Sequence, residues 1–406
     1  MVEQLSQKLE VVVMFKKIDY LIGGPKIYNN SDNPFSKDII KFLSNFSIQL
    51  NKENRYSKFA DISSLVFWCR EKNLIRLKKK YNQKNKIGLG IIFHITPSNV
   101  PTNFCYSLIF GLLTGNTNIV KVPSQKFDQI KIICDALKKT MKIYPRFNNQ
   151  IKIIRYDSEE DQITDYFSKR CAVRIIWGGD KTIQKVRKFE LKPRSKDITF
   201  SNRYSISLIN LDKINNPKNK NEIKILIKNF YNDTFLNDQN ACTTPHLIIW
   251  LGKRKKFIDI FWNELLNFVK KNYDHQSINF FEKYTMLLNH ILRLDNIGKF
   301  INYENLIYRL KLKNINNLNH LNIGKWGLFF EFNSKNLKIL NSFINENYQT
   351  ITYYGFPKKK ILDHILVNKL SGIDRIVPIG QSMNMDDLFW DGHDLFSALT
   401  REIKVI

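Results

Sequence analysis

The chain has 406 residues, 43% of them hydrophobic and 13% aromatic, which is enough to bury a core and excludes wholesale disorder. Length alone allows two or three domains. Lys and Arg number 64 against 37 Asp and Glu, a net charge of +27, yet the excess is spread along the chain rather than gathered in one arm, so it reads as background composition more than as a nucleic-acid stripe.

In chain order, residues 34–50 and 62–77 carry apolar positions at helical spacing, and Lys78-Lys79-Lys80 reads as a solvated helix end. From Gly88 the rhythm changes. Ile91-Ile92-Phe93-His94-Ile95 reads as a buried strand, 101–113 as an apolar helix closed by Gly115, and Ile119-Val120-Lys121-Val122 as a second strand. Ser124 is placed to cap the next helix, whose Phe127, Ile130, Cys134, Leu137 and Met141 share a face. Strands at 151–156 and 173–177 flank a helix at 161–168. Alternation of this kind predicts a parallel, doubly wound sheet, with ligand beyond the carboxyl ends of the strands. The loops 96–100, 123–126 and 178–181 then belong to one crevice.

The alternation resumes after Phe200. Strands are expected at 205–210, 247–250, 327–332 and 350–354, and helices at 222–236, 257–270, 337–345 and 360–369. The expected organisation is a cofactor lobe over residues 1–204, with 1–85 a mainly helical lead-in, and a catalytic lobe over 205–371. A C-terminal segment, 372–406, is expected to return to the active-site mouth and an oligomer interface.

The five cysteines, Cys69, Cys105, Cys134, Cys171 and Cys242, are widely spaced and form no CxxC pair. That argues against a disulfide framework and against zinc, and no metal site is expected. The first residues lack the basic-then-apolar order of a signal peptide, and the apolar stretch at 104–113 is too short to span a bilayer. The expectation is a cytoplasmic protein with no transmembrane segment and no specific nucleic-acid partner.

Four segments could carry chemistry. Asn237-Asp238-Gln239-Asn240-Ala241-Cys242-Thr243-Thr244-Pro245 sets a cysteine among small and polar residues between a helix and a buried strand, where a thiol can be reached and activated. Taken alone a free cysteine is more often a buried hydrophobe, and it is the flanking residues that single out Cys242. In Thr96-Pro97-Ser98-Asn99-Val100-Pro101 the Asn99 amide stands at the crevice mouth, or else caps the helix. Lys121, in a buried strand, is costly unless it emerges to meet an anion or hydroxyls. Gly178-Gly179-Asp180, before a helix, could aim backbone amides at a phosphate, or be a turn that needs glycine. Gly88-Leu89-Gly90 fails as a dinucleotide fingerprint because Phe93 stands where a glycine is needed and the pair opens a strand.

Taken in order, Pro97-Ser98-Asn99-Val100-Pro101, the run 115–124, Trp177-Gly178-Gly179-Asp180 and Gln239-Asn240-Ala241-Cys242-Thr243-Thr244-Pro245 resemble the aldehyde dehydrogenase superfamily. Three C-terminal stretches, 349–355, 372–380 and 390–395, point to one branch, the LuxC family of fatty acyl-CoA reductases (acyl-protein thioester reductases) of bacterial bioluminescence. The resemblance runs from about Gly88 to Arg401. It implies an α/β aldehyde dehydrogenase-like fold: a doubly wound Rossmann-type cofactor lobe, an α/β catalytic lobe and a small oligomerisation element. Cys242 matches the family's nucleophile, and Asn99 the amide that, with a backbone N–H, holds the oxyanion. Lys121 matches the lysine on the adenosine ribose, and Gly179 and Asp180 the turn facing the pyrophosphate. A glutamate bracing the nicotinamide ribose could be Glu331, but its neighbours Phe330 and Phe332 do not match and it is not assigned to the site.

Two departures from the superfamily are informative. The segment that carries a glutamate base in aldehyde-oxidising members reads Phe200-Ser201-Asn202-Arg203-Tyr204-Ser205, without a carboxylate. A thioester reductase needs no activated water there. Near Lys121, Ser124 and Lys126 replace the carboxylate common in NAD-preferring members, which favours NADPH. The resulting expectation is NADPH-dependent reduction of a fatty acyl thioester to the long-chain aldehyde through an acyl-Cys242 intermediate. The donor would be acyl-CoA or an acylated partner such as an acyl-protein synthetase or acyl carrier protein, and the enzyme a homo-oligomer. The rival readings are a short-chain acylating aldehyde dehydrogenase and a basic binding protein on an inactive enzyme fold. His94, His246, His290 and His393 are read as structural or surface residues.

Overall fold

A computed structural model describes residues 13–52, 59–214, 220–274, 276–316, 318–319, 321–384 and 387–406. The chain divides into two compact units, Met1–Ser201 with Met385–Ile406, and Asn202–Asn384. The residues expected to form one C-terminal segment are thus shared between the units, and the lead-in contributes a strand as well as helices.

The first unit runs β1 (Asp19–Ile22), α1 (Lys37–Asn51), α2 (Ala60–Trp68), α3 (Glu71–Lys78), β2 (Lys86–Gly88), β3 (Ile91–Ile95), α4 (Asn103–Leu113), β4 (Thr117–Lys121), α5 (Asp128–Ile143), β5 (Ile151–Arg155), α6 (Asp161–Ser168), β6 (Val173–Trp177), α7 (Asp180–Arg187) and β7 (Lys196–Phe200). Its six-stranded sheet has the order β1-β5-β4-β3-β6-β7, parallel except for β1. Strand order reverses direction on either side of β3, so the topological switch point lies at the carboxyl ends of β3 and β6. Helices α1 to α5 bury Phe42, Phe46, Leu108, Phe110, Ile133 and Leu137 on one face; α6 and α7 bury Ile163, Phe167, Ile183 and Val186 on the other. With both faces covered, β3 is buried at all five positions, which is why it reads as a continuous apolar run.

The second unit runs β8 (Tyr204–Asn210), α8 (Lys220–Thr234), β9 (Pro245–Leu251), α9 (Lys256–Asn272), α10 (Ser277–Arg293), β10 (Ile297–Tyr303), β11 (Ile307–Leu312), β12 (Leu328–Ser334), β13 (Tyr348–Tyr354), α11 (Lys358–Val367) and β14 (Arg375–Pro378). Its sheet has the order β10-β11-β12-β9-β8-β13-β14, parallel except for β10. Helices α8 and α9 cover one face, around Phe230, Phe261 and Trp262. The other face is covered by α10, α11 and a 3₁₀ turn at Leu337–Ser342. The chain then completes the first unit with β15 (Phe389–Trp390), β16 (His393–Asp394), α12 (Leu395–Ala398) and β17 (Thr400–Glu402), the last pairing with β2.

Several sequence expectations shift. The apolar pattern over 62–77 is two helices, broken where Arg70 takes an extended conformation. The expected helix at 337–345 is a 3₁₀ turn. Lys78 is not simply solvated, since its Nζ donates to the Phe35 carbonyl at 3.1 Å. Residues 215–219, between β8 and α8, lie outside the described residues. Among the described residues no helix is long and apolar enough to cross a membrane.

Candidate active site

Five of the six singled-out residues stand at one edge of the first unit. The strand pairs Ile95–Lys121 and Ile95–Ile176 hold the carboxyl ends of β4, β3 and β6 level. The loops that follow therefore open on the same side. Asn99 is exposed in the loop after β3. It is not the helix cap, because α4 begins three residues after Val100 with Thr102 in the cap position. Sequence could not separate those two readings; the position of the first helical turn does.

Lys121 ends β4, where the strand leaves the core. Its ammonium lies 4.9 Å from the centroid of the Tyr156 ring. Burial lowers its pKa, and the nearby Asp157 carboxylate acts in the opposite direction. Thr96 binds the Lys121 carbonyl through both its N–H, at 3.2 Å, and its hydroxyl, at 2.8 Å, tying the β3 and β4 loops together. Ser124 does not cap α5, which starts at Asp128 behind Phe127; its hydroxyl instead donates to the Tyr156 carbonyl at 3.3 Å. Short polar residues cap only when they immediately precede the first turn, and Ser124 is three residues too early.

Gly179 is the cap residue of α7 and Asp180 its first residue, with no side chain capping the helix start. Neither Gly178 nor Gly179 has a positive φ, so the turn does not demand glycine on backbone grounds. A Cβ on Gly178 would come within 3.1 Å of Thr182, so close packing against α7 is the constraint. Sequence reading missed the partners on the β5 side. Lys185 of α7 pairs with Glu159 at 3.0 Å and Asp161 at 3.4 Å, binding the acidic loop after β5 to this helix. Level strand ends, a lysine, a helix start without a side-chain cap and a strand-order switch are the features that hold a dinucleotide in a sheet of this kind.

The sheet edge is walled by aromatics. Trp177, which ends β6, stacks on Phe200, which ends β7, at a centroid distance of 3.7 Å, and Trp390 meets Trp177 edge-on. The Trp177 indole N–H donates to Ser107 at 2.9 Å, and Ser107 lies 2.7 Å from Nδ1 of His94. The other ring nitrogen of His94 is 3.0 Å from Asn118. His94 is thus a satisfied core histidine.

Cys242 belongs to the second unit. Helix α8 ends in a 3₁₀ turn, and Asp238 and Gln239 both take left-handed φ, so the chain reverses sharply before β9. Gln239 is buried and fastens the loop: its amide donates to the Leu328 carbonyl at 3.1 Å and its oxygen accepts from Gly327 N–H at 2.7 Å. The Ser205 hydroxyl donates to the Cys242 carbonyl at 2.6 Å. The thiol therefore sits on a braced turn at the amino end of β9. The other four cysteines are buried, and burial pushes their thiols well up, with Cys134 and Cys171 at about 12. Cys242 alone of the five is partly exposed.

Beyond this turn lies support that the sequence did not signal. Asp233 of α8 is buried, and its carboxylate accepts from Gly380 N–H at 2.6 Å and Ser382 N–H at 3.0 Å. Arg375 grips the same segment through the carbonyls of Ser382 and Asn384. Met383 then receives the Thr243 hydroxyl at 3.2 Å, next to the nucleophile candidate. Asp233→Ala leaves two backbone donors without an acceptor and is expected to cost about 2–4 kcal/mol. Asp233→Asn, which keeps one oxygen, should cost less. Urea midpoints of the two variants check this order.

Two residues weighed in the sequence and not assigned to the site have structural work. His246 is buried, with Nδ1 2.9 Å from the Gly324 carbonyl. Glu331 is buried on β12 and accepts from Arg309 at 2.8 Å, Trp250 at 2.9 Å and Trp262 at 3.2 Å. In the segment where a base could have stood, Arg203 is tied to Asp374 at 2.7 Å and to the Gly372 carbonyl at 2.6 Å.

The buried histidines set an acid limit. Burial lowers both His94 and His246 from 6.5 to about 4. Between those values the unfolded chain binds protons that the folded chain refuses, so their contribution is complete above pH 6.5 and is lost as pH falls toward 4. Each is worth up to about 3 kcal/mol over that window. Asp233, raised by burial to about 6, works the other way between pH 6 and 4 and offsets part of the loss in the second unit. Melting temperature should therefore drop between pH 6.5 and 4; a flat profile would show that neither histidine is held neutral.

The two sheets define an aldehyde dehydrogenase-like α/β fold. The chain aligns with 1-pyrroline-5-carboxylate dehydrogenase of Thermus thermophilus at a TM-score of 0.60 and 11% identity, covering 90% of this chain and 80% of that one. It aligns with aldehyde dehydrogenase 21 of Physcomitrella patens at 0.62 and 10%, covering 90% and 84%. Residues 70–267, just under half of the chain, match the model of the acyl-CoA reductase (LuxC) family. The matched span holds Asn99, Lys121, Ser124, Gly179, Asp180 and Cys242.

Among curated proteins, the chain is 22% identical to the long-chain acyl-protein thioester reductase of Aliivibrio fischeri over 328 residues, 78% of this chain and 63% of that protein. It is 27% identical to long-chain acyl-protein thioester reductase 2 of Photobacterium leiognathi over 187 residues, 46% of this chain and 36% of that protein. The chain thus spans less than two thirds of the length of either relative.

Proposed function

We propose that the chain reduces a fatty acyl thioester to the long-chain aldehyde, with NADPH as reductant and Cys242 as the covalent carrier. The observation that carries this reading is Cys242 itself: a partly exposed thiol on a braced turn within the family-matched span, while the other four cysteines are buried. The Cys242 thiolate attacks the acyl carbonyl of acyl-CoA or an acylated partner protein, and the donor's thiolate leaves. NADPH supplies two electrons and a hydrogen to the acyl carbon. The Asn99 amide stabilises the oxyanion of the resulting thiohemiacetal, whose collapse releases aldehyde and returns the Cys242 thiolate.

Lys121 and Ser124 hold the adenosine ribose, and Gly179 and Asp180 form the turn at the pyrophosphate. The absence of a carboxylate at Ser124 and the nearby Lys126 favour the 2′-phosphate. The missing base among residues 200–205 supports reduction, since no group there activates water against the acyl-enzyme. The test is oxidation of NADPH, and separately of NADH, by the purified chain with tetradecanoyl-CoA. Acyl-dependent oxidation that yields tetradecanal, faster with NADPH, is the expected result. Oxidation only with short acyl-CoAs would replace the long-chain reading with a short-chain one. No oxidation with any acyl-CoA or acylated carrier protein would overturn thioester reduction.

A further inference from the structure

Helix α10 is amphipathic in the wrong sense for an isolated protein. Its inner face buries Lys283 and His290 beside Leu287. Lys283, fully buried, donates to the carbonyls of Leu306 and Trp326 at 3.0 Å each and to that of Asn305. His290 binds the Ile323 carbonyl at 2.8 Å. Its outer face exposes Ile278, Phe281, Tyr284, Leu288, Ile291 and Leu292, with Phe281 72% and Leu292 84% exposed. The first five recur every three or four residues, and Leu292 lies beside Ile291 on the same side, so they form one stripe along the helix. Leaving six large apolar side chains in water along one helix face is unfavourable unless the stripe is covered.

We infer that α10 is a self-association surface, pairing antiparallel with α10 of a second copy about a two-fold axis near Leu288. Two observations select this occupant. The stripe offers on the order of 700 Å² of surface, beyond the usual largest patch of a monomer and close to the ~800 Å² that one partner gives a standard interface. The exposed charged residues of α10 are Glu282 near its start and Arg293 at its end, a net charge of zero on a chain of +27. An acidic partner would find no basic surface on this helix. A second copy meets no charge repulsion there, and a two-fold axis midway between the two residues sets each Glu282 opposite the other copy's Arg293.

Sedimentation velocity of the full chain at micromolar concentration tests this. The wild type should be a dimer. Phe281→Glu with Leu292→Glu should weaken the dimer at least about a hundredfold, since four carboxylates would then face an apolar seam, with melting of the separated chain unchanged because neither side chain is in the core. Glu282→Arg alone should weaken it, and Glu282→Arg with Arg293→Glu should restore it. A monomeric wild type, or a dimer indifferent to the stripe variants, overturns the inference. Failure of the double charge reversal to restore the dimer overturns the antiparallel arrangement.

Discussion

Cys242→Ala is expected to abolish aldehyde formation, by at least about 10⁴-fold, and with it all covalent acylation of the chain. The size of the effect follows from the role: without the sulfur there is no acyl-enzyme, and the remaining groups can only orient a thioester. The other thiols cannot stand in. Cys69, Cys105, Cys134 and Cys171 are buried, and burial raises all four, so each is a poor source of thiolate. The same contrast predicts that iodoacetamide modifies Cys242 first in the folded protein. The decisive measurement is mass spectrometry of the chain after incubation with tetradecanoyl-CoA and no reductant. One acyl group on wild type and none on the variant is the expected pair. Equal acylation of both would move the nucleophile elsewhere.

Glu331→Ala should be among the most damaging single changes to stability. The carboxylate neutralises Arg309, itself 2% exposed, and accepts the indole N–H groups of Trp250 and Trp262. Removing it leaves a buried guanidinium with hydrogen bonds to Tyr303 at 2.8 Å and to the exposed Asp259 at 3.4 Å and no buried carboxylate to neutralise it. A loss of about 3–5 kcal/mol follows, or roughly 10 °C in melting temperature for a unit of this size. Replacing both partners with apolar residues, as Arg309→Met with Glu331→Leu, should recover much of it, because the cost lies in the unpaired charge. A variant that melts like wild type but binds nicotinamide cofactor more weakly would instead return Glu331 to the cofactor site.

Much of the first unit was legible in the chain. β3, β4, β5 and β6 were readable because both faces of their sheet are covered, which writes them as apolar runs, and the intervening helices carry one-sided apolar patterns. Helix α10 escaped the same reading. Its pattern is reversed, with Lys283 and His290 inside and Phe281 and Leu292 outside, so no rule that places polar residues in water could orient it. The 3₁₀ turn at Leu337–Ser342 and the break between α2 and α3 were lost for a different reason: apolar spacing does not report where the backbone ladder stops.

The candidate site shows the same division. Residue type, spacing and the family resemblance pointed to Asn99, Lys121, Gly179, Asp180 and Cys242 as candidates, because thiols and amides in polar loops leave local marks. The bond of Ser124 to the Tyr156 carbonyl in place of a helix cap, Gln239 and Asp233 as braces of the Cys242 turn, and Glu331 as the hub of a buried ion pair were decided by tertiary structure alone. Each depends on which distant backbone group or charge lies within hydrogen-bond reach. That distance is set by how strands far apart in sequence come to lie side by side, and the chain does not record it locally.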